Sequence, residues 1–336
     1  MKKLIALLLI LVSVLTCFAA CAKPDKDDET PETSDPVKIR VGYLTGPTGM
    51  GMAKLIHDNG GEAGNEKYEF TRFTSPNDAT SALAAGKIDL ICTDTNGAAN
   101  YYSKYSGVKV LAINTLSSLF LVTDKNTTIT SFSDLEGKTI YTCKAGTPKI
   151  ITEYLVSKAG INATVSDTFD GKVIPSPQEL GALLTVGSVD IAVVPEPILT
   201  SSILSIKSSG NTEIEYSVDI PLSTVWDEYA DGDTPLAMGC IVGAEVFVND
   251  NKAAVDKFLK EYKSSIEFVN NSDNLTVAAE YIAEAKIMGA AKAAELALKN
   301  LNGAIAYIDG NDMKDTLEAL YNALNVALPS DSFYYE

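Results

Sequence analysis

Arginine is nearly missing from this 336-residue chain: Arg40 and Arg72 stand alone against 44 acidic residues, and the net charge is -17. A bidentate guanidinium clamp on a carboxylate or phosphate can therefore draw on two residues at most. The same acidic balance makes nucleic acid and anionic lipid surfaces poor partners, and losing Lys2 and Lys3 with an N-terminal segment would take the charge to -19. Histidine occurs once, as His57, with no cysteine or acid at a readable spacing, so no catalytic constellation forms around it and no catalytic residue is expected. Of the five cysteines, the four from Cys21 onward include no CxxC and no close pair, which argues against a zinc site or a redox dithiol. Cys92, Cys143 and Cys240 read as core thiols, and neither a metal nor a cofactor is expected. A phosphate loop is also lacking. "GPTGMGMAKLI" (46–56) frames four residues between Gly46 and Gly51, but Met52 and Ala53 stand where a nucleotide loop needs Lys and Ser or Thr.

What is present begins with an export signal. Lys2 and Lys3 precede an apolar run from Leu4 to Leu15, and "TCFAAC" places Ala19 and Ala20 before Cys21. This resembles a bacterial lipobox, with Phe18 where Leu is usual, and it implies a signal peptide over 1–20 and a lipidated Cys21. Cleavage after Ala22 and an uncleaved anchor are the competing readings, although the apolar run is short for a membrane span. Residues 22–36, "AKPDKDDETPETSDP", hold four Asp, two Glu and three Pro, with no aliphatic residue larger than alanine. That composition cannot bury a core and predicts a disordered tether reaching about 50 Å when extended. The remainder, in a chain 46% hydrophobic and 21% charged, suits a globular body of about two domains.

That body contains a repeat. "SPNDATSALAAGKIDLI" (75–91) aligns with "SPQELGALLTVGSVDIA" (176–192) at an offset of 101 residues, with Ser75/Ser176, Pro76/Pro177, Leu83/Leu184, Gly86/Gly187 and Asp89/Asp190 identical. The same offset pairs Ile39 with Ile140 and Pro47 with Pro148. Each copy reads strand, helix, strand, helix, strand: an apolar strand meets a Gly/Pro/Thr turn, Ser-Pro opens the second helix, and glycine closes it. Two doubly wound, Rossmann-like α/β lobes follow. The C-terminal tail offers one further strand, "LAMGCIVGAEVFV", then helices near 251–271, 274–299 and 311–327, and so completes the first lobe. The expected organisation is lobe 1 over 37–120 and 238–336, and lobe 2 over 121–237 with two crossover segments.

With this grammar, "DLEGKTIYTCKAGTPKIITEYLVSKAGI" (134–161) and the ending "DGNDMKDTLEALYNAL" with "LPSDSFYY" resemble the type II solute-binding proteins of ABC importers. The branch is the one that binds nitrate, sulfonates, taurine and pyrimidine precursors of thiamine. The resemblance covers nearly everything after residue 37. It implies the type II periplasmic-binding-protein fold and a non-enzymatic, extracytoplasmic lipoprotein. It further implies a monomer that captures a small solute by hinge closure and hands it to a permease, with no nucleic acid involved. A pyrimidine-precursor enzyme or a sensory ectodomain on the same fold is the rival class.

Ligands of open α/β sheets sit beyond the carboxyl ends of strands, and the repeat names those loops. In lobe 1 they offer Thr45, Gly46, Thr48, Gly49, Asp94, Thr95 and Asn96; in lobe 2, Gly146, Thr147 and Glu196. The threonines supply hydroxyls, or else cap helices, and the glycines admit close backbone approach. Asp94 and Glu196 fall one residue apart in register, so they are expected to face each other and favour a cationic or amine-bearing solute. Helix N-capping or a solvated loop charge is the alternative reading of both, and as exposed loop charges they are expected to add little to stability. Tyr43, Phe73, Tyr141 and Trp226 are stacking candidates with core packing as the alternative, and Ser117 with Ser118 marks the first crossover. Thiamine or a pyrimidine-type nitrogen heterocycle is the best cargo expectation, and a sulfonate, taurine or nitrate anion is the alternative.

Overall fold

The two copies of the repeat fold to matching bounds. Helix Pro76–Ala84 corresponds to helix Pro177–Thr185, and strand Leu90–Asp94 to strand Ile191–Pro195, each at the 101-residue offset. The local signals act as their chemistry dictates: the Ser75 and Ser176 side chains accept from the N–H groups of Asp78 and Glu179, and proline occupies the first helical position. Gly86 and Gly187, just past the helix ends, take positive φ values of 63° and 69°. The computed structural model describes residues 37–144, 147–230 and 233–336. The expected signal peptide, Cys21, the tether and Gly146 lie outside the described residues.

The first lobe is built on a six-stranded sheet. Its strands are β1 (Ile39–Leu44), β2 (Tyr68–Phe73), β3 (Leu90–Asp94) and β4 (Val108–Leu116), joined from the C-terminal tail by β12 (Ala237–Ala244) and β13 (Ile305–Ile308). The order is β13-β4-β12-β3-β1-β2, with β1 parallel to β2 and β3, and β12 antiparallel to both β3 and β4. The second sheet contains β5 (Leu119–Asp124), β6 (Thr139–Tyr141), β7 (Thr164–Ser166), β10 (Ile191–Pro195) and β11 (Tyr216–Pro221), in the order β11-β5-β10-β6-β7. A hairpin of β8 (Thr168–Phe169) and β9 (Lys172–Val173) stands apart. The chain leaves the first sheet after Leu116 and returns to it at Ala237. Each passage delivers one strand antiparallel to the last strand of a repeat copy: β5 beside β10, and β12 beside β3. This is the expected architecture of two α/β lobes with two crossovers.

The tail departs from expectation in three places. The strand read through "GAEVFV" stops at Ala244, because its neighbours begin at Leu90 and Val108 and leave nothing beyond to pair with. Helix Glu245–Asp250 takes over. The helix read over 274–299 is two helices, Leu275–Glu284 and Ala291–Leu301, separated where Lys286 adopts a φ of 53° and Ile287 and Met288 bury their side chains. The tail also supplies a second strand, β13, which pairs with β4. One apolar cluster runs between the lobes along the crossovers, containing Leu119, Leu236 and Ala237 together with Ile113 and Cys240 of the first sheet and Ile140, Val193 and Trp226 of the second lobe.

Candidate functional site

The opening glycine loop is shaped by packing. A Cβ on Gly49 would stand 2.0 Å from the Leu44 carbonyl oxygen, and Gly46 holds a φ of 95°, a conformation that costs an L side chain strain. The Gly46 N–H donates to the Ile287 carbonyl (3.2 Å), which pins the loop to the break between the two tail helices. Thr48 does not cap a helix. Gly46 is the N-cap of the single turn Pro47–Met50, and no side chain bonds there. The Thr48 carbonyl instead accepts from Asn114 Nδ2 (3.4 Å), and its methyl group lies over Gly239, whose added Cβ would come within 2.5 Å of it. Thr147 is likewise an N-cap residue without a side-chain cap bond; it is buried at the start of helix Pro148–Lys158. Thr45 is half-buried, its N–H donating to Phe73 O (3.0 Å).

Asp94 and Glu196 both serve as helix caps. Asp94 Oδ1 accepts from the Gly97 N–H (2.6 Å) at the start of helix Thr95–Tyr105, and burial pushes its pKa upward against that hydrogen bond. Glu196 is only 2% exposed. Its Oε2 accepts from Thr200 N–H (3.2 Å) and its Oε1 from Thr200 Oγ1 (2.8 Å), at the first turn of helix Ile198–Ser209. Burial raises its pKa as well, opposed by the hydrogen bonds from Asn300 and Thr200. Of the two alternatives to ligand contact, helix capping rather than solvated loop charge describes both acids: each accepts an N–H that a helix N-terminus leaves unpaired, and Glu196 is buried besides. Asp94 also borders a groove of about 490 Å³ between helices Pro76–Ala84 and Thr95–Tyr105, lined by Asn77, Thr80, Asn100, Tyr101 and Lys104 among others.

Among the expected stacking residues, two are core. Tyr43 is fully buried, with its hydroxyl donating to Ala285 O (3.0 Å), because on β1 its side chain falls on the face covered by the tail helices. Trp226 is 2% exposed, packs against Tyr154 with centroids 5.4 Å apart, and donates from Nε1 to Thr234 O (2.9 Å). Phe73 and Tyr141 are half-buried at the ends of β2 and β6, and Tyr141 meets Phe169 edge-on at 5.7 Å. Thr95 is turned inward, donating to Ala237 O (3.0 Å) while its carbonyl accepts from Tyr321 Oη (3.0 Å). Asn96 accepts from Asn100 Nδ2 (3.3 Å). Ser117 and Ser118 are buried at the first crossover, where Ser118 O accepts from Glu196 N–H (2.9 Å).

Both arginines are occupied. Arg40 engages the buried Asp89 through Nε and Nη2, and Arg72 pairs with Glu62 (3.4 Å). His57 stacks on Tyr281 (3.7 Å) and bonds Glu284 (2.8 Å), joining two helices of the first lobe. Cys92, Cys143 and Cys240 are buried in apolar clusters, and burial pushes the Cys92 thiol up to about 12.

Among the described residues, the lobes touch at two points near the loops. A Cβ on Gly46 would lie 3.5 Å from Pro197 Cδ of the second lobe. Asn300, on helix Ala291–Leu301 of the first lobe, donates from Nδ2 to Glu196 Oε1 (2.6 Å) and Thr200 Oγ1 (3.2 Å). Neither Asn300 nor Asn114 was legible as a site residue. Each stands in a helix or strand far in sequence from the loop it serves, with no motif around it.

Two α/β sheets, exchanged crossover strands and loops that meet at the strand ends leave one architecture. The fold is that of the type II periplasmic solute-binding proteins. Residues 67–196 match the family model described as NMT1/THI5 like. The type II fold is shared with an ABC transporter structure from Parabacteroides distasonis (TM-score 0.69, 19% identity, covering 89% of this chain and 99% of that one). It is shared with the periplasmic aliphatic sulphonate binding protein SsuA from Escherichia coli (0.66, 16%, 90% and 92%). The alkanesulfonate-binding protein SsuA from Xanthomonas axonopodis pv. citri, bound to MOPS, is also similar (0.60, 14%, 88% and 96%). No curated protein matches the sequence.

Proposed function

We propose that this chain is the extracytoplasmic solute-binding component of an ABC importer, capturing a small organic solute between its two lobes and presenting it to a permease. The observation that carries the reading is the meeting of the Gly46 and Glu196-Pro197 loops, at the carboxyl ends of β1 and β10, across the two crossovers. In this reading the chain acts as a monomer, held to the membrane by a lipid on Cys21, and it binds without turnover.

For the cargo we favour a nitrogen heterocycle of the thiamine or pyrimidine-precursor kind. The supporting points are the match over residues 67–196, the Asp94 carboxylate beside its groove, and the engagement of both guanidinium groups by acids. Glu196 is withdrawn from the pair of acids once expected to share this task, since both its oxygens are bonded. An alkanesulfonate is the second reading, favoured by the sulfonate-binding proteins that share the fold. Such an anion would rest on backbone N–H groups rather than on arginine. Calorimetric titration of the mature protein with thiamine, an aminopyrimidine, taurine, an alkanesulfonate and nitrate separates the two. Heat with the heterocycles alone supports the first reading; heat with sulfonates alone transfers the assignment to the second.

A further inference from the structure

We infer that Asn300 is a positioning residue for the solute site: from the first lobe it holds the Glu196 carboxylate of the second, and so sets how far the two lobes close before solute arrives. The inference rests on the reading above only in requiring that the lobes separate.

Asn300 lies one residue from the end of helix Ala291–Leu301, which is anchored in the first lobe by buried Ala294, Ala297, Leu298 and Leu301. Among the described residues, its side chain bonds only to the second lobe, at Glu196 Oε1 and Thr200 Oγ1. Glu196 in turn joins three parts of the molecule. Its N–H reaches Ser118 O at the first crossover, its carboxylate caps helix Ile198–Ser209, and its Oε1 receives the amide of Asn300. The residue that follows, Pro197, is the one that stands against Gly46 of the opening loop. A single residue therefore couples the crossover, through its backbone N–H, with the second-lobe helix and the first lobe, through its carboxylate.

The chemistry suits a reversible catch. An amide donor to a carboxylate gives a charge-assisted hydrogen bond without placing a second charge in the contact. On opening, water can take the place of each partner, so the bond biases the equilibrium without locking it. A closed fraction populated in advance raises apparent affinity in proportion to that fraction, whatever the cargo. The direct contact of helix Ala291–Leu301 with helix Ile198–Ser209 gives the catch a rigid backing on both sides.

Small-angle X-ray scattering on the mature protein, refolded from denaturant and dialysed so that no solute is carried over, tests this. Wild type should scatter as a contracted particle matching the structure. Asn300→Ala should shift the closed-to-open ratio toward open by roughly tenfold and raise the radius of gyration. Asn300→Asp, which sets a second carboxyl against Glu196, should raise it further. Ser202→Ala removes a bond internal to the second lobe, from Ser202 Oγ to Gly181 O, and should leave the particle contracted. Circular dichroism confirms that each variant is folded. Equal scattering from wild type, Asn300→Ala and Asn300→Asp overturns the inference, and so does a wild type that is already as expanded as Asn300→Asp. With no solute in the experiment, its failure leaves the cargo assignment untouched, and a silent titration leaves this inference untouched.

Discussion

Asp94 caps a helix, and substitution can separate that role from the solute recognition proposed for it. Asparagine is as good an N-cap as aspartate, so Asp94→Asn keeps the bond to Gly97 while removing the charge, whereas Asp94→Ala loses both, at about 1 kcal/mol of stability. If the carboxylate meets a cationic heterocycle, both variants should weaken binding at least tenfold, and only Asp94→Ala should melt earlier. Calorimetric titration beside urea unfolding reads the two effects, and undiminished affinity in Asp94→Asn would remove the carboxylate from recognition. Asp134 offers a test by pH. The N–H groups of Thr130 and Ser131 and the Thr130 hydroxyl converge on its Oδ2 and hold its pKa down to about 2. A depressed carboxylate contributes stability that is complete above its unfolded value near 3.8 and vanishes as pH falls toward 2. The urea midpoint of wild type should therefore exceed that of Asp134→Asn at pH 5, and the gap should close between pH 4 and 2.

At the scale of elements, the glycine loop is the sharpest case. Gly49 is required because the Leu44 carbonyl, which is backbone and cannot swing aside, occupies the place of a Cβ. Gly49→Ala should cost about 3 kcal/mol and disturb solute binding, while Gly289→Ala, where a Cβ meets nothing within 4 Å, should fall within about 0.5 kcal/mol of wild type. Denaturant melts of both variants decide it. Elements whose signals are local were legible in the sequence. Ser-Pro openings and glycine endings predict helices Pro76–Ala84 and Pro177–Thr185, since capping and left-handed φ depend on a few adjacent residues. Elements defined by a distant neighbour were not. Ile305–Ile308 is four residues long and becomes a strand through β4, nearly two hundred residues earlier. The Ala244 end of β12 is set by where β3 and β4 begin.

For the whole molecule, the shared apolar cluster along the crossovers makes the lobes energetically dependent. Residues 37–336 cluster as one compact unit, and Leu119, Leu236 and Ala237 connect the cores of both sheets. Differential scanning calorimetry of the mature protein should show one cooperative transition; two resolved peaks would mean that the crossovers do not couple the lobes.

By itself, the sequence determined the repeat, the two α/β lobes, the return of the tail to the first lobe, the exclusion of a nucleotide loop, and the loops that carry Gly46, Asp94 and Glu196. These follow from composition, from periodicity and from residues whose backbone preferences act locally. Only the tertiary structure decided which side chains those loops present. It turned Tyr43 and Trp226 into their cores, closed both oxygens of Glu196 with hydrogen bonds, paired Arg40 and Arg72 with acids, and brought Asn300 to the second lobe. The reason is physical: the direction and partner of a side chain are fixed by three-dimensional packing, whether the partner is ten positions away, as Glu62 is from Arg72, or 104, as Asn300 is from Glu196, and such contacts leave no mark in the local pattern.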